Sequence, residues 1–132
     1  MDISKFSRSE TEQTGQWFDL GQGARVKVRA VTFKPFKKDL EIKMKPHLRL
    51  KRMGTLDPKI EDDLTAESMA RHIFVDFEGL EENGKKLESN YETRLRLIKD
   101  TKLGNYIGAI AIDIDNFTSE LEEEGLENAK KS

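Results

Sequence analysis

Between Arg25 and Val31 apolar and charged side chains alternate strictly, with Val26, Val28 and Ala30 on one side and Arg25, Lys27 and Arg29 on the other. A period of two marks a strand with one buried face. Gln16-Trp17-Phe18-Asp19-Leu20 reads as a short strand ahead of it, and Gly21-Gln22-Gly23 between them can supply positive φ. The pattern predicts a β-hairpin with one face turned to a core.

The period changes at Asp57. Asp57-Pro58 is a helix start, because the carboxylate can accept from free backbone N–H groups and proline suits the first helical position. Glu61, Asp62 and Asp63 place negative charge where the helix dipole favours it, and Thr65 offers a second cap. Ala66, Ala70, Ile73, Phe74 and Phe77 then share one side of a helix, which predicts a central core helix from Asp57 to Phe77, stopped at Glu78-Gly79.

Lys34 to Met53 predicts a basic helix with Phe36, Leu40 and Met44 at intervals of four. Pro46 interrupts it, giving two short helices or one kinked one, with Leu48 and Leu50 resuming the apolar contacts. After a turn at Asn83-Gly84, Ser89-Asn90-Tyr91-Glu92 matches a capping box and opens a helix carrying Tyr91, Leu95 and Ile98. A last helix is expected from Lys102, with Leu103, Ile107, Ile110, Ile114, Phe117 and Leu121 spaced 4-3-4-3-4. Such a seam suits packing along another helix, either inside the fold, which is the simpler reading, or across an interface.

Composition narrows the class. A chain of 132 residues fits one domain, and its lack of cysteine excludes a disulfide framework, a CxxC metal site and a thiol nucleophile. Nothing resembles a signal peptide or a membrane span. The net charge of −2 conceals a split: eleven Lys/Arg against two Asp/Glu lie between Arg25 and Arg52, and nineteen Asp/Glu against ten Lys/Arg lie from Asp57 onward. The basic part can fold onto the acidic part, or pair with another copy or a partner.

Candidate chemistry is sparse. Neither His47 nor His72 stands near a serine in a nucleophile motif, and His72 reads as a boundary residue of the core helix. Asp113 and Asp115, two apart on a helix, diverge too far to share a proton. Gly21-Gln22-Gly23 lacks both the Walker lysine and the third glycine of a dinucleotide fingerprint, so it is a hairpin turn. No catalytic, cofactor-binding or metal site is expected. The cations of residues 25–52 could serve nucleic acid, yet aromatic side chains for stacking on bases are scarce there beyond Phe36.

The order of Trp17-Phe18-Asp19-Leu20-Gly21-x-Gly23-Ala24-Arg25-Val26-Lys27-Val28, a basic Pro-containing helix, and Leu64-x6-Arg71-x3-Val75-Asp76-Phe77-Glu78-Gly79-Leu80 resembles the tail assembly chaperones of long-tailed bacteriophages. In that family an aromatic-Asp-x-Gly hairpin precedes a Lys/Arg-rich helix, a V-x-W-x-G signature, a Gly-containing turn and a Ser-capped helix. Asn116-Phe117 near the final helix also fits. The resemblance spans Gln16 to Glu124 through short motifs whose order carries the weight, and Phe77 stands where a tryptophan is usual.

The resemblance implies a non-enzymatic protein that binds the tape measure protein in the host cell cytoplasm and is absent from the mature virion. It also implies contact with tail tube subunits through a longer frameshift product. The expected architecture is α+β, an N-terminal β-hairpin packed on four to five helices. Residues 1–15 form a loose arm, 16–124 a single domain and 125–132 a frayed tail. Arg49, Lys51 and Arg52, with Ile110, Ile114, Phe117 and Leu121, are the candidate surface for the client or for self-association. The alternatives are a nucleic-acid or packaging accessory protein using residues 25–52, and a structural tail or connector subunit.

Overall fold

Two tight turns, Gln22-Gly23 and Asn83-Gly84, organise the β half of the molecule. The structure, a computed structural model, describes residues 14–117. Strands β1 (Gln16–Gly21) and β2 (Ala24–Val28) pair antiparallel, and the two residues joining them, Gln22 and Gly23, both have positive φ. That is the turn whose twist matches a two-residue hairpin. Asn83 and Gly84 repeat the device between β4 (Glu81–Glu82) and β5 (Lys85–Lys86), so both hairpin turns fall where the sequence places them. Val26, Val28 and Ala30 are buried, as the alternation requires.

Strand β3 (Phe74–Glu78) adds to the hairpin on the β2 side, giving the order β1-β2-β3. This corrects the expectation of a helix running to Phe77. The helix is real but shorter, α3 (Pro58–His72), with Asp57 Oδ1 accepting from Lys59 N at 3.0 Å. Phe74 and Phe77, three residues apart, still face the same side because the register slips: Val26 pairs with Phe77, Lys27 with Asp76 and Val28 with Phe74. Val75 is the extra residue of a β-bulge. The bulge thus produces in a strand the spacing that a helix gives without one. Thr65, expected as a second cap, instead donates from inside α3 to Glu61 O.

The remaining helices are α1 (Lys34–Met44), α2 (Leu48–Arg52), α4 (Tyr91–Asp100) and α5 (Leu103–Ile112). A 3-10 turn at Lys45–His47 separates α1 from α2 where Pro46 stands, and another occupies Ile114–Phe117. The α4 cap is Asn90, whose Oδ1 accepts from Thr93 N at 2.8 Å, while Ser89 Oγ accepts from Arg94. The N-cap is therefore one residue later than the expected Ser89, and the bond back from Glu92 that a capping box needs is not among the hydrogen bonds of the described residues. Helices cover one face of the sheet, and the core gathers Val26, Val28, Ile73, Phe74, Phe77, Leu97, Ile107, Ile110 and Phe117 between the two layers. The α+β class is as the sequence predicts, with β3 and the small second hairpin added.

Close backbone approach fixes one glycine. A Cβ on Gly79 would run into the Gly23 carbonyl, and its φ of 75° is left-handed, so the end of β3 can lie against the first hairpin turn. Two arginines fix the other end of α3. Arg94 donates to Ala70 O and Arg29 to His72 O, each at 3.2 Å, supplying partners and positive charge where the helix carbonyls are unpaired.

The seam of the last helix does not run on. At Asp113 the backbone turns extended (φ −80°, ψ 99°), the Asp113 carboxylate accepts from Asp115 N, and Asn116 Nδ2 donates to Ile110 O at 3.1 Å. Asp113 therefore lies at a break, and Asp115 in the 3-10 turn that follows, so the two do not share one α-helix. Leu121, the arm residues 1–13, the last residues of the 16–124 domain and the tail 125–132 lie outside the described residues. Among the described residues, no helix is long and apolar enough to cross a membrane.

Candidate partner surface

Helix α1 meets α3 along Phe36, Leu40 and Met44, of which Phe36 and Met44 are buried. One polar cluster sits in this helix–helix contact. Ser68, with no exposed surface, donates to Asp39 Oδ2 at 2.9 Å; Lys43 Nζ lies 3.2 Å and His72 Nε2 3.4 Å from the same oxygen. Serine, histidine and aspartate are thus brought together, but the serine bonds the carboxylate and not the imidazole, and it is sealed from solvent. This is the wrong connectivity for a nucleophile. The cluster locks α1 onto α3. Among the described residues, no group of three or more His, Cys, Asp or Glu could hold a metal ion.

The cluster has a pH signature. Burial lowers the His72 pKa; Asp39 opposes that, and the cations Arg71, Arg29 and Lys43 add to it. For Asp39 burial works to raise the pKa, but the hydrogen bonds from Ser68 and Lys43, with the charges of Lys43 and His72, outweigh it and leave the carboxyl below its usual value. In both cases the unfolded chain binds protons more readily than the folded one, so stability falls as pH falls. The His72 contribution starts to fade near the ordinary histidine value of 6.5, and that of Asp39 below the ordinary 3.8. The denaturation midpoint should therefore decline between neutral pH and about pH 5. His72→Gln should remove that decline; a decline of the same size in the variant would assign it elsewhere.

Past Pro46 the chain leaves the core. None of Leu48–Arg52 is buried, and α2 is held by Lys51 Nζ to Glu61 Oε1 at 2.8 Å and by Thr55 N to Leu50 O. Leu48 and Leu50, expected to resume core contacts, stay exposed. Two positions apart on a helix they point about 200° from each other, so both cannot face one core. Ile42 and Met53 are 60% and 62% exposed, and Ile60 at the start of α3 is exposed as well. The end of the molecule made by α1, α2 and the first turn of α3 thus offers five large apolar side chains to solvent. A depression of about 290 Å³ lies there, lined by Leu40, Met44, Lys51 and Glu61 among others.

The basic segment divides in two. Arg25 is used on the outer sheet face, 2.7 Å from Glu78 and stacked 4.1 Å over Trp17, while Arg29 lies 4.4 Å over Phe33 besides bonding His72 O. Lys34, Lys37 and Lys38 on α1, and Lys45, Arg49 and Arg52 around α2, make no ion pair with any described residue. Free cations and free apolar side chains therefore coincide around α2, from Ile42 to Ile60, a segment called the arm from here on and distinct from the N-terminal residues 1–15.

The expected site residues separate accordingly. Arg49, Lys51 and Arg52 come together on α2. Ile110 and Phe117 do not join them, because both are buried in the chain's own core; Phe117 meets Phe18 edge to face with centroids 5.7 Å apart. For these two the simpler reading, core packing, is the one the structure supports. The side chain of Ile114 and all of Leu121 lie outside what is described. The apolar members of the surface, Ile42, Leu48, Leu50, Met53 and Ile60, were missed as site residues. For Leu48 and Leu50 the signal was the period-two pattern of Leu48-Arg49-Leu50-Lys51 inside a helical segment.

The family model described as YdaY prophage protein matches residues 31–128, well over half of the chain. The chain belongs to the YdaY prophage protein family. It is therefore a phage or prophage protein. The family match begins after the first hairpin and takes in the arm, α3 and the helices that follow. No curated protein and no solved structure matches the chain.

Proposed function

We propose that this YdaY-family protein is a tail assembly chaperone, acting by binding alone, that holds the tape measure protein in the host cytoplasm and leaves before the particle is complete. The observation that carries the reading is the arm. Its cations and apolar side chains have almost no role inside the fold, and such a mixture suits an amphipathic helical client with acidic flanks. The prophage family and the order of motifs from Trp17 to Gly79 support the same reading.

Each leucine that becomes covered contributes about 1.5–3 kcal/mol before the cost of association, so one arm binds modestly. Several copies along one long client hold firmly and still release one by one. Recruitment of tube subunits falls to the longer frameshift product.

The test is co-expression with the tape measure protein encoded in the same prophage. The wild-type chain should co-purify with it, and Leu48→Asp with Leu50→Asp should reduce recovery about tenfold or more while the circular dichroism spectrum is kept. Equal recovery would remove the arm from the interface. Steeply salt-dependent retardation of DNA by the wild-type chain, lost on reversing Arg49 and Arg52, would instead favour the nucleic-acid reading.

A further inference from the structure

The arm also has a complement in the chain's own sequence. Residues Ser119 to Glu127 read SELEEEGLE, with five glutamates, two leucines and no lysine or arginine. That is the opposite charge to Lys45, Arg49, Lys51 and Arg52, carried with apolar side chains of the kind α2 leaves uncovered. We propose that the arm of one copy binds the acidic segment Ser119–Glu127 of a second copy. This deepens the binding role proposed above by naming what occupies the same surface when no client is present.

Geometry decides between the two sources of that segment. Phe117 packs on Phe18 of β1, and β1 belongs to the sheet. The arm lies at the opposite end of α3, since Lys51 bonds Glu61 in the first turn, whereas the last turn of α3 is tied to Arg29 just after β2. Fifteen residues of α-helix separate those ends by about 22 Å. Leu121 follows Phe117 by four residues, a reach of about 14 Å at full extension. A gap of the length of α3 exceeds the reach of Leu121, which favours another molecule for seating both leucines.

Covering the arm in this way gives the free protein a reason not to aggregate through its exposed apolar groups. It also makes the acidic segment a competitor that a client must displace. Because the contact joins exposed charges, added salt weakens it. The chemistry asked of the occupant is glutamates flanking leucines, with no fixed register.

The experiment uses full-length chains and no client. Sedimentation velocity of the wild type should show a mass rising with concentration above the 15.2 kDa of one chain, and falling back with salt. An arm variant, Arg49→Glu with Arg52→Glu, should remain a single chain, and so should a tail variant, Glu122→Lys with Glu123→Lys and Glu124→Lys. Mixed together, the two should associate, because the unaltered tail of the arm variant meets the unaltered arm of the tail variant, and the reversed pair is complementary as well. A wild type that stays a single chain at every concentration overturns the proposal, as does a mixture that never associates. Neither result bears on tape measure binding, which is read separately from co-purification.

Discussion

Phe117→Asp is expected to unfold the domain, not merely to weaken a partner contact. The sequence pattern leaves two places for Phe117, inside the fold or on the candidate surface for a partner, and on a partner surface its replacement by aspartate would cost binding alone. The structure removes that option for Phe117. Its side chain is 4% exposed and its ring meets Phe18 on the edge strand, while the neighbouring Asn116 closes the end of α5 through Ile110 O. Emptying such a site costs about 3–5 kcal/mol, and a carboxylate in the cavity adds its desolvation. Against a typical total of about 5–15 kcal/mol, that leaves little or no folded protein. Urea denaturation followed by circular dichroism is the check. A midpoint within error of wild type would mean that Phe117 is not packed against β1.

Phe74→Ala is expected to be nearly as costly, and it tests the bulge. Phe74 has no exposed surface, pairs with Val28 across the β2–β3 register shift, and lies 5.8 Å from the Phe77 ring. The loss should be about 3–5 kcal/mol. For a domain near a hundred residues this lowers the melting temperature by roughly 12 °C or more. Val75→Ala makes a useful control, since Val75 is the extra residue and only half-buried. It should cost well under half as much as Phe74→Ala. Comparable losses at the two positions would contradict the bulge and favour a regular helix or strand through this segment.

These two residues also show where the sequence could and could not be read. Strict alternation from Arg25 to Ala30 has one structural meaning, and the hairpin, its turn and its buried face all follow from it. Asp57-Pro58 and Asn83-Gly84 are equally direct, because each residue type answers a local backbone need. The segment after His72 is different. Ile73, Phe74 and Phe77 satisfy helical spacing, and a bulge cannot be seen without the partner strand that defines it. Asp113 posed the same difficulty: a short polar residue that turns the chain through its own side chain looks, in a periodic list of isoleucines, like one more exposed helical position.

The candidate surface was half legible. Arg49, Lys51 and Arg52 stood out by charge, and they do cluster. Of their apolar companions, Leu48 and Leu50 read as resuming the apolar contacts of the helix, although two apart they cannot share a face, and Ile42, Met53 and Ile60 carry no signal of their own. Conversely, Ile110 and Phe117 were offered to a partner because a continuous seam was assumed past Ile112. Contact across the fold, which periodicity does not contain, decided both.

The account stands on the arm being the place where a client is gripped. Amide hydrogen exchange of the full-length chain, with and without an excess of the tape measure protein, reads this directly. Slowed exchange should concentrate in the segment from Ile42 to Ile60, with the outer sheet face of Trp17, Arg25 and Lys27 unchanged. Slowing confined to the sheet face, or no slowing anywhere at saturating client, would contradict it.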